Sequence, residues 1–579
     1  MTEIQFITQT KTLIDGLKSV CANYGLGNDA SEFNIISQVF LYKYLNDKFI
    51  YEAKKHNEDL ANAEDFQKAY ENLSEEDKKF LFFRIGNKAA KLQPEQLITY
   101  LFNNSNQPNF GDAIFDGTLR SISAENIDIY SVSSATGVKD KMFDDISLFI
   151  RDASQRDAFC RALLNKLVNV SFEKMFTEKY DFFATIFEYL IKDYNSDSGG
   201  KYAEYYTPHA VARIMAAILV NEEVKSAKVY DPSAGSGTLL MNIAHAIGEK
   251  NCTIYSEDIS QKSANMLRLN LILNNLQHSI PNIIKGNTIL QPAHLEKKFD
   301  YIVSNPPFKL DFSDYQADLT KDSFKERFFA GVPNIPKSKK ESMAIYLLFI
   351  QHIMYSLDTK GKAAIVVPTG FITAQSGIER KIREALIERN WLRGVVSMPS
   401  NIFASTGTNV SIVFIDKEAD SEKIVLVDAS KLGQTIKEGK NQKTVLTATE
   451  EQRIIDAMNQ KKAEEDFSVV VTKEEVMAKN YSFSAGQYFE VKIEYIEITA
   501  EEFAQKISEI PGAAPVGAEQ VPEQIQTVEK DEAGYLIEMK IGFMMIFFHG
   551  FSFCPTPFVN NVNPRVQTKV VSMTEQIGI

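Results

Sequence analysis

Apolar residues recur at helical spacing near the start of the chain. In SEFNIISQVFLYKYLNDKF, Phe33, Ile36, Val39, Phe40 and Tyr44 follow a 3.6-residue period, and polar or charged residues fill much of the rest. The charged stretch Glu64–Lys91 carries scattered apolar positions that suit further amphipathic helices. Residues 1–170 are therefore predicted to be a helical domain for docking a partner or DNA. From about Ala184 the texture changes to short apolar, β-branched runs: KVY before Asp231, CTIYSED at Cys252–Asp258, IIKGN at Ile283–Asn287 and FDYIVSN at Phe299–Asn305. AAIVV at Ala363–Val367, RGVVSM at Arg393–Met398 and NVSIVFID at Asn409–Asp416 follow, with helical patterns such as Ser263–Leu276 between the runs. This alternation predicts βαβ units and a mostly parallel, doubly wound α/β sheet over residues 171–420. Residues 421–510 are predicted as a partly helical extension for partner contact, with a helix over Ala500–Glu509. Pro511–Gln524 is rich in Pro, Gly and Ala and reads as a linker, and residues 511–579 as a linker and atypical tail. The tail after Tyr535 is apolar and aromatic, and no function is read from it.

Composition narrows the class. The chain has 579 residues, 44% hydrophobic and 24% charged, which is ordinary for a globular protein and excludes a fibrous or mainly disordered one. Lys and Arg number 63 against 76 Asp and Glu, a net charge of −13, which argues against coating nucleic acid by bulk charge. Cys21, Cys160, Cys252 and Cys554 are dispersed and form no C-x-x-C pair, so neither a disulfide framework nor a metal cluster is suggested. The most apolar run, Ile541–Phe553, is broken by Gly542, His549, Gly550 and Ser552, so no membrane span is predicted. With no basic and apolar leader at the N-terminus, the cytoplasm is the expected location.

The strongest chemical signal is Asn305-Pro306-Pro307-Phe308, directly after the run FDYIVS. Open α/β sheets place ligands at the C-terminal ends of their parallel strands. Two prolines fix the turn and remove two backbone donors, which leaves the Asn305 amide and nearby carbonyls to face an amino group, with Phe308 to stack on a flat base. On its own the string also reads, less favoured, as a plain turn after a strand. Upstream, Asp231-Pro-Ser-Ala-Gly-Ser-Gly-Thr238 joins a strand to the helical run LLMNIAHAIGE. Gly235 and Gly237 permit close backbone approach, and with Ser236 and Thr238 they lead into a helix N-terminus that offers amide donors. The string is neither G-x-G-x-x-G nor a P-loop, so a nucleoside cofactor other than a dinucleotide or triphosphate is expected. The second strand ends in the acidic pair Glu257-Asp258, in isolation equally a solvated pair, where Glu257 is expected to accept ribose hydroxyls, and Asn287 after the third strand is expected to touch an adenine ring. Arg327, Lys337, Lys339 and Lys340 lie after this motif and are equally phosphate contacts or a solvated basic loop.

DPSAGSG followed by NPPF resembles the motif order of S-adenosylmethionine-dependent amino-group methyltransferases. The box AEYYTPHAVARIMA, with GNTIL, ERFFAG, LLFIQHIM, AAIVVPTGFI, IREALIE and VVSMPSNIFASTGTNVSIVFI in order, resembles more narrowly the methylation (M) subunits of type I restriction–modification systems. The likeness covers about residues 5–510. It implies a Rossmann-like catalytic domain and S-adenosylmethionine as cofactor. It also implies that Glu204, Tyr205, Tyr206, Thr207, Pro208 and His209 close over the methionine end. The substrate implied is adenine in double-stranded DNA, flipped out of the duplex and methylated at N6 beside Asn305, Pro306, Pro307 and Phe308. The partners implied are a specificity subunit, a second M subunit and, for cleavage, restriction subunits. Three features depart from the family pattern: Asn287 stands where aspartate is common, Ala203-Glu204 where Gly-Gln or Gly-Glu is common, and an apolar tail where a charged helix is usual. A stand-alone DNA methyltransferase, a protein or RNA amino-group methyltransferase and a non-catalytic scaffold are the alternatives.

Overall fold

The computed structural model describes residues 3–27, 30–134, 136–173, 176, 207–403, 409–420, 422–438 and 441–489, with three strand segments beyond at 494–496, 525–530 and 536–541. The expected helix at Ala500–Glu509, the linker and most of the apolar tail fall outside the described residues, as do Glu204, Tyr205 and Tyr206.

A ten-stranded sheet organises the chain up to residue 487. Its strands are β1 (Ser133–Ser134), β2 (Ala227–Asp231), β3 (Cys252–Asp258), β4 (Ile283–Lys285), β5 (Phe299–Ser304), β6 (Leu357–Pro368), β7 (Leu392–Ser397), β8 (Val410–Asp416), β9 (Ile424–Asp428) and, after a hairpin of β10 (Gln434–Glu438) and β11 (Asn441–Val445), β12 (Ser468–Val471). The spatial order is β1-β4-β3-β2-β5-β6-β8-β7-β9-β12. All strands run one way except β8 and β12, which pair antiparallel with their neighbours. Each strand read from the sequence between residues 227 and 416 is present. β6 and β8 carry unbroken apolar runs, Ala363–Val367 and Ile412–Ile415, in which every side chain is buried, as in strands covered on both faces by helices.

The chain order sets the site. From β2 it moves outward through β3 to β4, and then returns to place β5 against the other side of β2. A crevice opens where strand order reverses, at the carboxyl ends of β2 and β5. DPSAGSG leaves β2 there and NPPF leaves β5.

The N-terminal region is helical, led by Glu3–Asn23 and Ala30–His56. It is joined to the sheet rather than separate from it. Its β1 extends the sheet edge beside β4, and Tyr44 on the second helix donates to the Ile272 carbonyl at 3.2 Å. The buried Arg268 reaches back to the carbonyls of Lys141 and Met142. The boundary expected near residue 170 therefore falls inside one compact unit, Met1–Gln487, where the element type changes. At the other end the sheet does not stop near residue 420. β9 and β12 add to it, and the helix Ala448–Gln460 lies between them in sequence. Ile424–Val427 is as uniformly buried as the preceding strands. A second unit, Tyr488–Ile579, contains an antiparallel three-stranded sheet of Glu494–Ile496, Ile525–Lys530 and Leu536–Ile541. Among the described residues, no helix is long and apolar enough to cross a membrane.

Candidate active site

An open cleft lies at the crevice, lined by Thr207, Asp231, Ser233, Ala234, Gly235, Ser236, Thr238, Leu239 and Asn305. The two motifs that stood 74 residues apart, at 231 and 305, thus share one wall-to-wall space.

The turn after β2 is built by its glycines. Gly235 and Gly237 have φ of 53° and 83°, values that L side chains avoid. At Gly237 a Cβ would also lie 2.2 Å from Leu267 Cδ1, so the loop is pressed against the helix Gln261–Leu273. Asn270 on that helix donates to the Ser236 carbonyl at 2.7 Å. The loop then feeds the helix Thr238–Ile247, whose first-turn amides face the crevice end of the sheet.

Asp231 sits on the floor, buried. Its Oδ1 accepts from the Ser233 amide at 2.9 Å and the Ser304 hydroxyl at 3.0 Å. Ser233 and Ser304 hydroxyls are 2.7 Å apart, so the ends of β2 and β5 are cross-linked by polar side chains. Burial pushes the Asp231 carboxyl up to about 7, the negative Asp258 adds to the rise, and the two serines oppose it.

Asn305 is half-buried, Pro306 buried and Pro307 exposed. Asn305 Nδ2 donates to Thr207 Oγ1 at 3.3 Å. Thr207 precedes Pro208, the N-cap of the helix His209–Leu219, so the described end of the Tyr-Tyr-Thr-Pro box meets the β5 motif. The half-buried Phe308 meets Tyr346 edge-on at 6.2 Å.

One expected assignment is corrected, and one reading left open is decided. Glu257 is fully buried on the far side of the sheet. It accepts from the Tyr230 hydroxyl at 2.9 Å, the Ala293 amide at 2.9 Å and the His294 amide at 3.3 Å, and so is not available to a ribose. The physical reason is the period of two along a strand. Tyr230 pairs with Tyr255 and Asp231 with Ser256, so Glu257 shares the face of Tyr230 and Asp258 the face of Asp231. Asp258 is the acid at the cleft: Oδ2 accepts from the Gly235 amide at 2.9 Å, Oδ1 from the Ser260 amide at 2.8 Å, and burial raises its carboxyl. Arg327 is the second. It is buried, donates to the carbonyls of Thr288 and Ile289, and stacks over Phe328 at 4.4 Å, which makes it a brace for the turn after β4 rather than a phosphate ligand. Lys337, Lys339 and Lys340 are exposed.

Asn287 uses its side-chain oxygen to accept from the Ile289 and Leu290 amides, both at 3.1 Å. It shapes the turn, and Thr288 ties that turn to the Pro232 carbonyl at 2.8 Å. The alternation of β3 was the signal that could have distinguished Asp258 from Glu257. Nothing in the local sequence announced Ser304, which looks like one more small strand residue.

The N-6 DNA methylase family model matches residues 178–495. The methylase subunit of the type I restriction enzyme MpnII from Mycoplasma pneumoniae is 27% identical over 493 residues, covering 81% of this chain and 86% of that protein. The MjaIX methylase subunit from Methanocaldococcus jannaschii is 26% identical over 368 residues, covering 60% and 63%. In fold, the methyltransferase subunit of a type I restriction–modification system from Streptococcus thermophilus superposes with a TM-score of 0.67 at 21% identity, covering 85% of this chain and all of that one. The chain belongs to the N-6 DNA methylase family, as the likeness of its motifs to type I methylation subunits implies.

Proposed function

We propose that this chain methylates N6 of an adenine extruded from double-stranded DNA. It would do so as the modification subunit of a type I complex, with target choice supplied by a separate specificity subunit. The observation that carries the reading is the single cleft in which Asn305 faces the Asp231–Leu239 turn and touches Thr207.

The residues present suit S-adenosylmethionine. The cleft is lined by a backbone turn followed by a helix N-terminus, which favours a carboxylate, and by the buried Asp231 with Asp258 beside it, which favour a cationic group and hydroxyls. When bound there, this cofactor supplies an electrophilic methyl group on a sulfonium. Asp231, Gly235, Ser236, Gly237, Thr238, Thr207, Pro208 and His209 are the described candidates to hold it, joined by Asp258 in place of Glu257.

The adenine amino group is a weak nucleophile, because its lone pair is delocalised into the ring. Thr207 engages Asn305 Nδ2, which leaves Oδ1 to accept from the amino group. Pro306 has no amide hydrogen to compete. Acceptance by Asn305 Oδ1 and a backbone carbonyl draws the nitrogen toward a tetrahedral shape and directs its lone pair at the methyl. Positioning of two bound reactants supplies most of the rate. Phe308, held edge-on by Tyr346, is the stacking surface for the extruded base, worth on the order of 1–3 kcal/mol.

The test is base-modification sequencing of DNA from a methylation-deficient host expressing this chain, alone and with a candidate specificity subunit. N6-methyladenine at a split motif only with the partner is the expected result. Methylation by the chain alone would give it its own target recognition. Absence in both, with cofactor bound, would point to another substrate.

A further inference from the structure

The helix Ala448–Gln460 follows the strands that the sequence assigned to catalysis and lies in the extension expected to contact a partner. It packs along the helix His209–Leu219, which opens at Thr207-Pro208 beside Asn305. The contact is specific. Arg213 donates through Nε and Nη2 to the two carboxylate oxygens of Glu451 at 2.9 and 2.7 Å. The Glu451 side chain is 9% exposed and that of Arg213 55%. A two-pronged guanidinium–carboxylate contact with one partner buried fixes direction as well as distance. At the other end of the same helix, Asn459 donates to the Ala217 carbonyl at 3.0 Å, and Arg393 bridges the Ile218 carbonyl and Asn459 Oδ1 at 2.7 and 2.6 Å. Those carbonyls belong to the last turn of His209–Leu219, which has no further intrahelical donors. The helix is thus held at its first half by Glu451 and at its last turn by Asn459.

The register of Glu451 is itself fixed. Thr447 and Glu450 form a reciprocal cap, with the Glu450 side chain accepting from the Thr447 amide at 2.8 Å and Thr447 Oγ1 from the Glu450 amide at 3.3 Å. Glu450 also accepts from the Gly433 amide at 2.8 Å, and the hairpin beyond it is bonded to the loop after β7, where Thr444 reaches the Ser400 carbonyl at 2.6 Å. That loop leaves the same edge of the sheet as the crevice.

We infer that Glu451, acting through Arg213, is a positioning residue for methyl transfer: it sets the helix that presents Thr207 to Asn305. This rests on the proposed role of Asn305 and Thr207. The segment after residue 420 is then part of the catalytic apparatus.

Full-length chain is used for Glu451→Ala, Arg213→Ala, the double variant and the exchanged pair Arg213→Glu with Glu451→Arg. Arg453→Ala, on the same helix, which breaks a half-exposed contact with Glu464 beyond the helix end, is the control for a merely structural loss. Calorimetric titration with S-adenosylmethionine and amide exchange over residues 209–219 are read together. The expected result is about tenfold weaker cofactor binding and faster exchange in each single variant, no further loss in the double, recovery in the exchanged pair and no change in Arg453→Ala. Unchanged exchange and affinity in Glu451→Ala, or equal losses in Arg453→Ala, would overturn the inference. Wild-type protein that binds no S-adenosylmethionine would overturn the functional reading, while the exchange data would still decide whether the clamp holds the helix.

Discussion

Asn305 and Thr207, 98 residues apart, are joined by a hydrogen bond of 3.3 Å from Nδ2 to Oγ1. The bond fixes which end of the Asn305 amide is left for substrate. Asn305→Ala should therefore lower methyl transfer by at least roughly 10²–10³-fold, the loss seen when a preorganised polar group is removed from a reacting centre. Binding of S-adenosylmethionine should be nearly unchanged. Single-turnover methylation alongside calorimetry checks both, and retained transfer would remove Asn305 from the mechanism.

Gly237 cannot carry a side chain without moving Leu267, whose Cδ1 lies 2.2 Å from the would-be Cβ, and its φ of 83° is unfavourable for other residues. Gly237→Ala should cost about 1–3 kcal/mol by overpacking, with a further contribution of about 1–2 kcal/mol from the left-handed backbone. Thermal unfolding reads the loss. Adding Leu267→Ala should not restore full stability, because the backbone strain stays.

Asp258 and Glu257 should separate cleanly. Asp258→Ala removes the acceptor for the Gly235 amide and should weaken cofactor binding by tenfold or more. Glu257→Gln leaves the cleft intact but disturbs a buried carboxylate with three donors, and should cost on the order of 1–3 kcal/mol of stability. If Glu257→Gln instead abolishes cofactor binding in a folded protein, the assignment of faces is wrong.

Asp231 gives the cofactor-free chain a pH dependence. Burial raises its carboxyl from the usual 3.8 to about 7, so the folded state holds this proton more tightly than the unfolded state. The stabilising contribution is fully present below the unfolded value and is lost as pH rises from about 4 through 7. A cationic ligand reverses the preference by favouring the carboxylate. S-adenosylmethionine affinity should accordingly rise with pH through about 7 and then level off, with proton release on binding. Calorimetry in buffers of different ionisation enthalpy measures that release, and Asp231→Asn should abolish it.

Lys337, Lys339 and Lys340 are exposed beside the segment that carries Phe308, since the Leu310 amide donates to the Met343 carbonyl at 3.1 Å. If they meet phosphates, replacing all three with alanine should flatten the salt dependence of DNA binding by about 0.9 log units per lost contact. Cofactor affinity should not move. An unchanged slope in the complex with its specificity subunit would leave these lysines as solvated surface.

The sequence by itself determined the parts of this protein that depend on local rules. Short apolar, β-branched runs marked β2 to β8, and those of β6 and β8 are nearly unbroken because strands buried on both faces need no polar alternation. Gly235 and Gly237 marked a turn that only glycine tolerates, and Asn305 through Phe308 marked a strand end. The tertiary structure decided what depends on neighbours distant in the chain. It placed Glu257 behind the sheet and Asp258 on the face of the cleft, bonded to the Gly235 amide, because pairing of β3 with β2 sets which face each residue takes. It turned Arg327 inward to the carbonyls of Thr288 and Ile289. It also carried the sheet past residue 420 and brought Glu451 to Arg213, 238 residues away, since a charged residue on a helix carries no local sign of the partner it will meet.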